Sequence, residues 1–148
     1  MRSLASDSKA RQRFFLALLA AAALVVLACR NTAPDYPIVP TDDLVARGKP
    51  IYQEKCATCH GDATTPPPLA AAPPHTQQGH TWHHPDRLLV EWILDGVPLA
   101  EIMPKWRGKL TEEEVRAVVA YIKTFWPEET IKQQTGGSAE YEAQLLEP

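Results

Sequence analysis

The 148-residue chain is most informative in what it has little of. It holds 3 cysteines and 2 methionines. Any thiol chemistry must therefore rest on very few positions. Its longest apolar run, Phe14 to Ala28, has 15 residues, short of the ~20 that cross a bilayer as a helix. No repeat of solenoid or propeller length is visible. Basic clusters are confined to the N-terminus. The net charge is -3, and the first 28 residues carry Arg2, Lys9, Arg11 and Arg13 against Asp7 alone, so the remainder of the chain is more acidic still. That excludes a nucleic-acid binder, which needs clustered Lys and Arg. Glycine is scarce at 7 while proline reaches 14, so much of the chain must be irregular. The length suits one domain and excludes a large multidomain enzyme.

The N-terminus reads as a targeting segment. A basic stretch over residues 1–13 precedes the apolar run, which is the pattern of a secretion signal. Val26-Leu27-Ala28-Cys29 comes next and resembles a bacterial lipobox, in which the cysteine is lipid-modified and becomes the first mature residue. The expected organisation is a signal peptide over 1–28 ending at Cys29, or an uncleaved signal anchor. After it come a Pro-rich tether over 29–40, a domain over 41–128 and a polar, fraying tail over 129–148. Either form of the N-terminus puts the domain on the extracytoplasmic, periplasmic side of a bacterial membrane and ties it there.

Lys55-Cys56-Ala57-Thr58-Cys59-His60-Gly61 carries the chemistry. A bare C-x-x-C fits a redox dithiol, half a zinc site or a haem attachment. A redox dithiol would want a βαβ setting, and no such pattern is present. Zinc needs two more ligands, and His80, His83 and His84 have no recognised zinc spacing. The adjacent His60 selects haem c. Two thiols two residues apart can join the two vinyl groups of the macrocycle, and the next residue then falls beneath the iron as proximal ligand. The distal side needs a second ligand or stays open. Apart from Met1, the chain has only Met103. Pro104 biases it towards an extended conformation, which suits a loop presenting a thioether. The five histidines are the rivals, with His80, His83 and His84 next in line.

Three helices are expected. The first covers about Thr41–Lys55, with Thr41 as N-cap and Pro50 either kinking it or delaying its start to near Arg47. The second covers about Pro85–Asp95 and buries Leu88, Leu89, Trp92 and Ile93. The third opens with Thr111-Glu112-Glu113-Glu114 as a capping box. It repeats Val115, Val118, Val119, Ile122 and Trp126 at helical spacing and stops at Pro127. Between Gly61 and His80 the chain is loop, and a backbone carbonyl within Pro66–Pro68 is the nearest rigid acceptor for the proximal ring.

The stretch from about Thr41 to Glu128 resembles the class I monohaem cytochrome c family. The matching residues are Arg47-Gly48 and Tyr52, the Cys56–Gly61 motif, Pro68-Leu69, Met103-Pro104-Lys105-Trp106, and Val118 with Ala120-Tyr121-Ile122-Lys123. Gly79-His80-Thr81-Trp82-His83-His84-Pro85-Asp86 resembles a version found among bacterial members. The resemblance implies an all-α, cytochrome c-like bundle of three main helices with long Pro-rich loops, around one covalent haem c. It implies Cys56 and Cys59 as thioether positions, His60 and Met103 as iron ligands, and the Pro68 carbonyl as acceptor from His60. It also implies that Gly48 and Tyr52 meet Val118 and Tyr121 where the first and last helices cross. Pro50 and the Pro/Ala-rich loop depart from the family pattern. The implied role is one-electron transfer between redox protein partners, with no catalytic residues. The rivals are a haem-bearing subunit of an enzyme complex and a ligand-binding haem protein in which Met103 is unbound. A minor one is copper bound by His80, His83 and His84.

Overall fold

Thr41 starts the first helix as expected, its Oγ1 accepting from the Leu44 N–H. In this computed structural model, which describes residues 36–98, 100 and 102–147, helix α1 runs Asp42–Lys55 without a break at Pro50, so its start is not delayed to Arg47. Asp42 and Asp43 occupy its first turn, where carboxylates oppose the helix dipole. A single turn, α2 (Ala57–His60), comes next. A 3-10 turn covers Thr81–His83. Helix α3 is Asp86–Asp95, with Pro85 one position earlier than expected, at the cap. Helix α4 is Glu112–Lys123, and both halves of its capping box form. Helix α5 is Glu128–Leu145. The described residues contain no strand, and the fold is all-α.

Two apolar clusters divide the faces of α4. Val115 and Val119 pack with Leu89, Val90 and Leu94 of α3 and with Ile38. Val118 and Ile122 pack with Tyr52 of α1 and with Trp126. The α1–α4 crossing depends on Gly48. A Cβ there would lie 1.9 Å from the Ala117 carbonyl oxygen. Tyr52 meets Tyr121 edge-on at 5.4 Å, as the resemblance implies.

Two expectations about boundaries change, and one about a helix face. The chain divides after Asp35, and Tyr36–Pro40 belongs to the folded unit rather than to a spacer. Ile38 is 1% exposed, and its N–H donates to Asp86 Oδ2 at 2.7 Å. The 129–148 segment is not a fraying tail. It is mostly α5, whose Thr130, Gln134 and Ser138 are buried. On α3 the fully buried residues are Leu89, Val90 and Leu94; Ile93 is half-buried and packs against their cluster, and Leu89, Trp92 and Ile93 line a cavity. The signal segment and Cys29 lie outside the described residues. Among the described residues, no helix is long and apolar enough to cross a membrane.

Candidate haem site

A cavity of about 520 Å³ opens between α2, α3, α4 and the two long loops. That is within the ordinary range for a cofactor pocket. Cys56, Cys59, His60 and Met103 all line it, and most of the remaining lining is apolar: Leu69, Leu89, Ile93, Val97, Val118, Val119 and Ile122 among others.

Local structure puts the motif in place. The N–H groups of Cys59 and His60 both donate to the Cys56 carbonyl, at 3.1 and 2.9 Å. This winds the three side chains onto one turn. Gly61 then leaves the helix with φ +68°, where a Cβ would meet the Thr65 oxygen at 2.2 Å, so the exit suits glycine alone. The Tyr52 hydroxyl donates to the Gly61 carbonyl at 2.8 Å and ties this exit to α1.

His60 is 9% exposed. Its Nδ1 lies 2.8 Å from the Pro73 carbonyl. A carbonyl can only accept, so Nδ1 carries the proton and Nε2 keeps its lone pair. Burial lowers the imidazole pKa below its usual value, against a smaller opposing effect of the Pro73 bond. The ring is thus a neutral nitrogen donor, the form that ligates metals. The acceptor is Pro73, which corrects the expectation of Pro68. The loop turns back between Leu69 and Ala72, whose backbones are hydrogen-bonded at 2.9 Å, and brings the later proline under the ring.

Cys56 and Cys59 form no disulfide. Burial, and then the neighbouring Cys59, push the Cys56 thiol up to about 11. A redox dithiol needs the opposite, a thiol easily ionised near neutral pH. The burial of Cys56 therefore disfavours the thiolate that disulfide exchange needs.

Met103 reaches the cavity on a loop pinned at both ends. Gly96 turns the chain out of α3 with φ +102°. The Trp106 N–H returns to the Ile93 and Leu94 carbonyls at 3.2 and 3.1 Å, and that of Arg107 to Leu94 at 2.9 Å. Of the rival histidines, His80 and His84 line the cavity and His83 does not. His83 stacks on Trp82, ring centroids 3.6 Å apart. Among the described residues no group of three or more His, Cys, Asp or Glu could hold a metal ion, so the copper alternative has no site there. The donor set fits a covalent haem: paired thiols on one turn, a neutral imidazole with a free nitrogen, a thioether and an apolar enclosure. Sequence reasoning did not single out His75 among the five histidines, and it too lines the cavity. Its only signal is a histidine directly after Pro73-Pro74, and no periodicity marks it.

A family profile described as cytochrome c oxidase, cbb3-type, subunit III matches residues 43–122, more than half of the chain. The chain belongs to that family. It is 36% identical over 84 residues to the cbb3-type cytochrome c oxidase subunit CcoP of Azospirillum sp. (strain B510), covering 53% of this chain and 27% of that protein. Against subunit FixP of Bradyrhizobium diazoefficiens the identity is 31% over 77 residues, covering 52% and 26%. Against subunit CcoP of Cereibacter sphaeroides it is 32% over 80 residues, covering 53% and 27%. The chain spans about a quarter of the length of these relatives. No solved structure matches. The cytochrome c kinship read from the motifs thus holds, with subunit III of cbb3-type oxidases as the family concerned. Helix α5 and the Tyr36–Pro40 segment lie outside the matched stretch.

Proposed function

We propose that this chain is a membrane-tethered, monohaem c-type cytochrome that passes single electrons within a respiratory assembly. Cys56 and Cys59 hold one haem c through thioethers, His60 ligates the iron from the proximal side and Met103 from the distal side. The observation that carries the reading is the convergence of these four side chains on one apolar cavity. When bound, haem c supplies a one-electron couple. The protein's own groups do the rest. Pro73 fixes the tautomer of His60 and restrains its ring at one nitrogen. Met103 offers a neutral sulfur that favours the reduced state. The apolar walls keep water from the metal. With His60 and Met103 both holding the iron, no ligand position would remain for oxygen, and the chain would act as a carrier and not as a catalyst.

The relatives are named as subunits of an oxidase. That favours a fixed place in a complex, with redox protein partners on either side, over free shuttling. Covalent attachment is the first test. After acid–organic extraction of the exported protein, haem should remain with the polypeptide; extractable haem, or none at all, ends the reading.

The tether belongs to the same proposal. Lipid on Cys29 would hold the domain at the periplasmic face of the membrane. Cys29→Ser should release the protein to the soluble fraction or block its processing. A mature N-terminus at Met1 would mean instead that Phe14–Ala28 stays as the anchor.

A further inference from the structure

The proximal imidazole has a partner that the attachment motif does not call for. The His75 ring lies stacked on the His60 ring, centroids 4.2 Å apart and planes 19° from parallel. His75 is itself held from three directions. Its Nδ1 is 2.8 Å from Thr81 Oγ1, on the 3-10 turn. Its carbonyl accepts from Trp126 Nε1 at 2.6 Å, just beyond α4. The Tyr52 ring of α1 meets it edge-on at 6.1 Å.

His60 is less completely fixed. The torsion that turns a histidine ring about its Cβ–Cγ bond has a broad minimum. The Pro73 bond restrains it at one nitrogen only. A flat ring lying almost parallel against the face removes the remaining rotation, because turning the imidazole would drive it into its neighbour. Three parts of the fold fix that neighbour, so the orientation of the ligand is set by the fold as a whole and not by one loop.

We propose that His75 is a positioning residue for the proximal ligand, its ring acting as a plate that holds the plane of the His60 imidazole. The inference rests on His60 being an iron ligand. The plane of an axial imidazole sets how the low-lying iron orbitals split, so the ferric electron paramagnetic resonance spectrum reads it directly.

The experiment uses the full-length exported protein with its haem and three variants. His75→Leu removes the plate and should shift and broaden the ferric low-spin g-values. His75→Phe restores a flat ring and should return them towards those of the unmodified protein. Thr81→Val loosens the plate without entering the His60 contact and should broaden the spectrum alone. A His75→Leu protein that is folded, carries covalent haem and keeps the unmodified spectrum would overturn the inference while leaving the haem reading intact. So would a Phe variant that behaves like the Leu variant, since stacking would then not be the cause. If the Leu variant fails to fold, Thr81→Val decides, and an unchanged spectrum there counts against the plate. An unmodified protein without covalent haem removes both readings together.

Discussion

Met103 decides between a carrier and a ligand-binding protein. A thioether is soft and neutral and stabilises ferrous iron relative to imidazole or water. Met103→His should therefore lower the midpoint potential, by part of the roughly 0.8 V that axial ligands span across haem proteins, as read in a potentiometric titration. Met103→Ala should open the position, so that the reduced protein binds carbon monoxide within mixing time. Covalent haem should survive both changes, since Cys56, Cys59 and His60 are untouched. The control is the unmodified protein. Rapid and complete carbon monoxide binding at neutral pH would show that Met103 does not hold the iron.

Among the elements, the α1–α4 pair sets the frame on which the motif sits. A Cβ at position 48 would press on the Ala117 carbonyl oxygen at 1.9 Å and its carbon at 2.3 Å. Both are backbone atoms, so no flexible side chain can yield. Helix propensity alone favours alanine over glycine by about 1 kcal/mol. The clash should outweigh that, and Gly48→Ala should lose roughly 1–3 kcal/mol, measured by thermal unfolding of the haem-loaded protein. A variant with unchanged or higher Tm would show that the helices do not approach this closely. The capping box at Thr111 and Glu114 works at the same scale, closing the first turn of α4 with bonds of 2.7 and 3.2 Å. It sits at the exposed end of the helix.

At the largest scale described, the folded unit that begins at Tyr36 is tied by a buried polar knot. Lys123 Nζ and Asp86 Oδ2 are 2.8 Å apart with both side chains at 0% exposure. Lys123 also donates to the Ile38 carbonyl at 2.6 Å. Gln134 Nε2 donates to Asp86 Oδ1 at 2.9 Å, and the Asp86 N–H to Ser138 Oγ at 3.0 Å. The entry segment, α3, α4 and α5 thus share one set of bonds. Removing a single partner strands a charge in a dry interior, so Lys123→Ala should cost about 3–5 kcal/mol in denaturant unfolding. Arg47–Glu113 is the comparison: its side chains are 45% and 71% exposed, and Glu113→Ala should cost no more than about 1 kcal/mol. Equal losses in the two variants would mean that the knot does not bind the fold together.

The sequence by itself determined what is local. The spacing of Cys56, Cys59 and His60, the cap at Thr111 and the apolar stripe of α4 need only neighbours along the chain, and all are readable in its order of residues; the end of α4 is less so, since the helix closes at Lys123 and Pro127 instead caps α5. The lone methionine before Pro104 was legible for the same reason. Tertiary structure decided the rest. Pro73 replaced Pro68 as acceptor because, in a loop without periodicity, only the path of the chain settles which carbonyl lies beneath a ring. His75 became a neighbour of His60 through bonds to Thr81 and Trp126, both distant in sequence from the motif. Lys123 occupies the last turn of its helix, where a lysine ordinarily reads as a solvated charge near the helix dipole. It is buried only because Asp86 and Ile38 arrive there from elsewhere. Helix α5 was missed because its buried stripe, Thr130, Gln134 and Ser138, is polar. Hydrophobic periodicity finds helices that bury apolar faces. It cannot find one that docks through hydrogen bonds whose partners exist only once the other helices have folded.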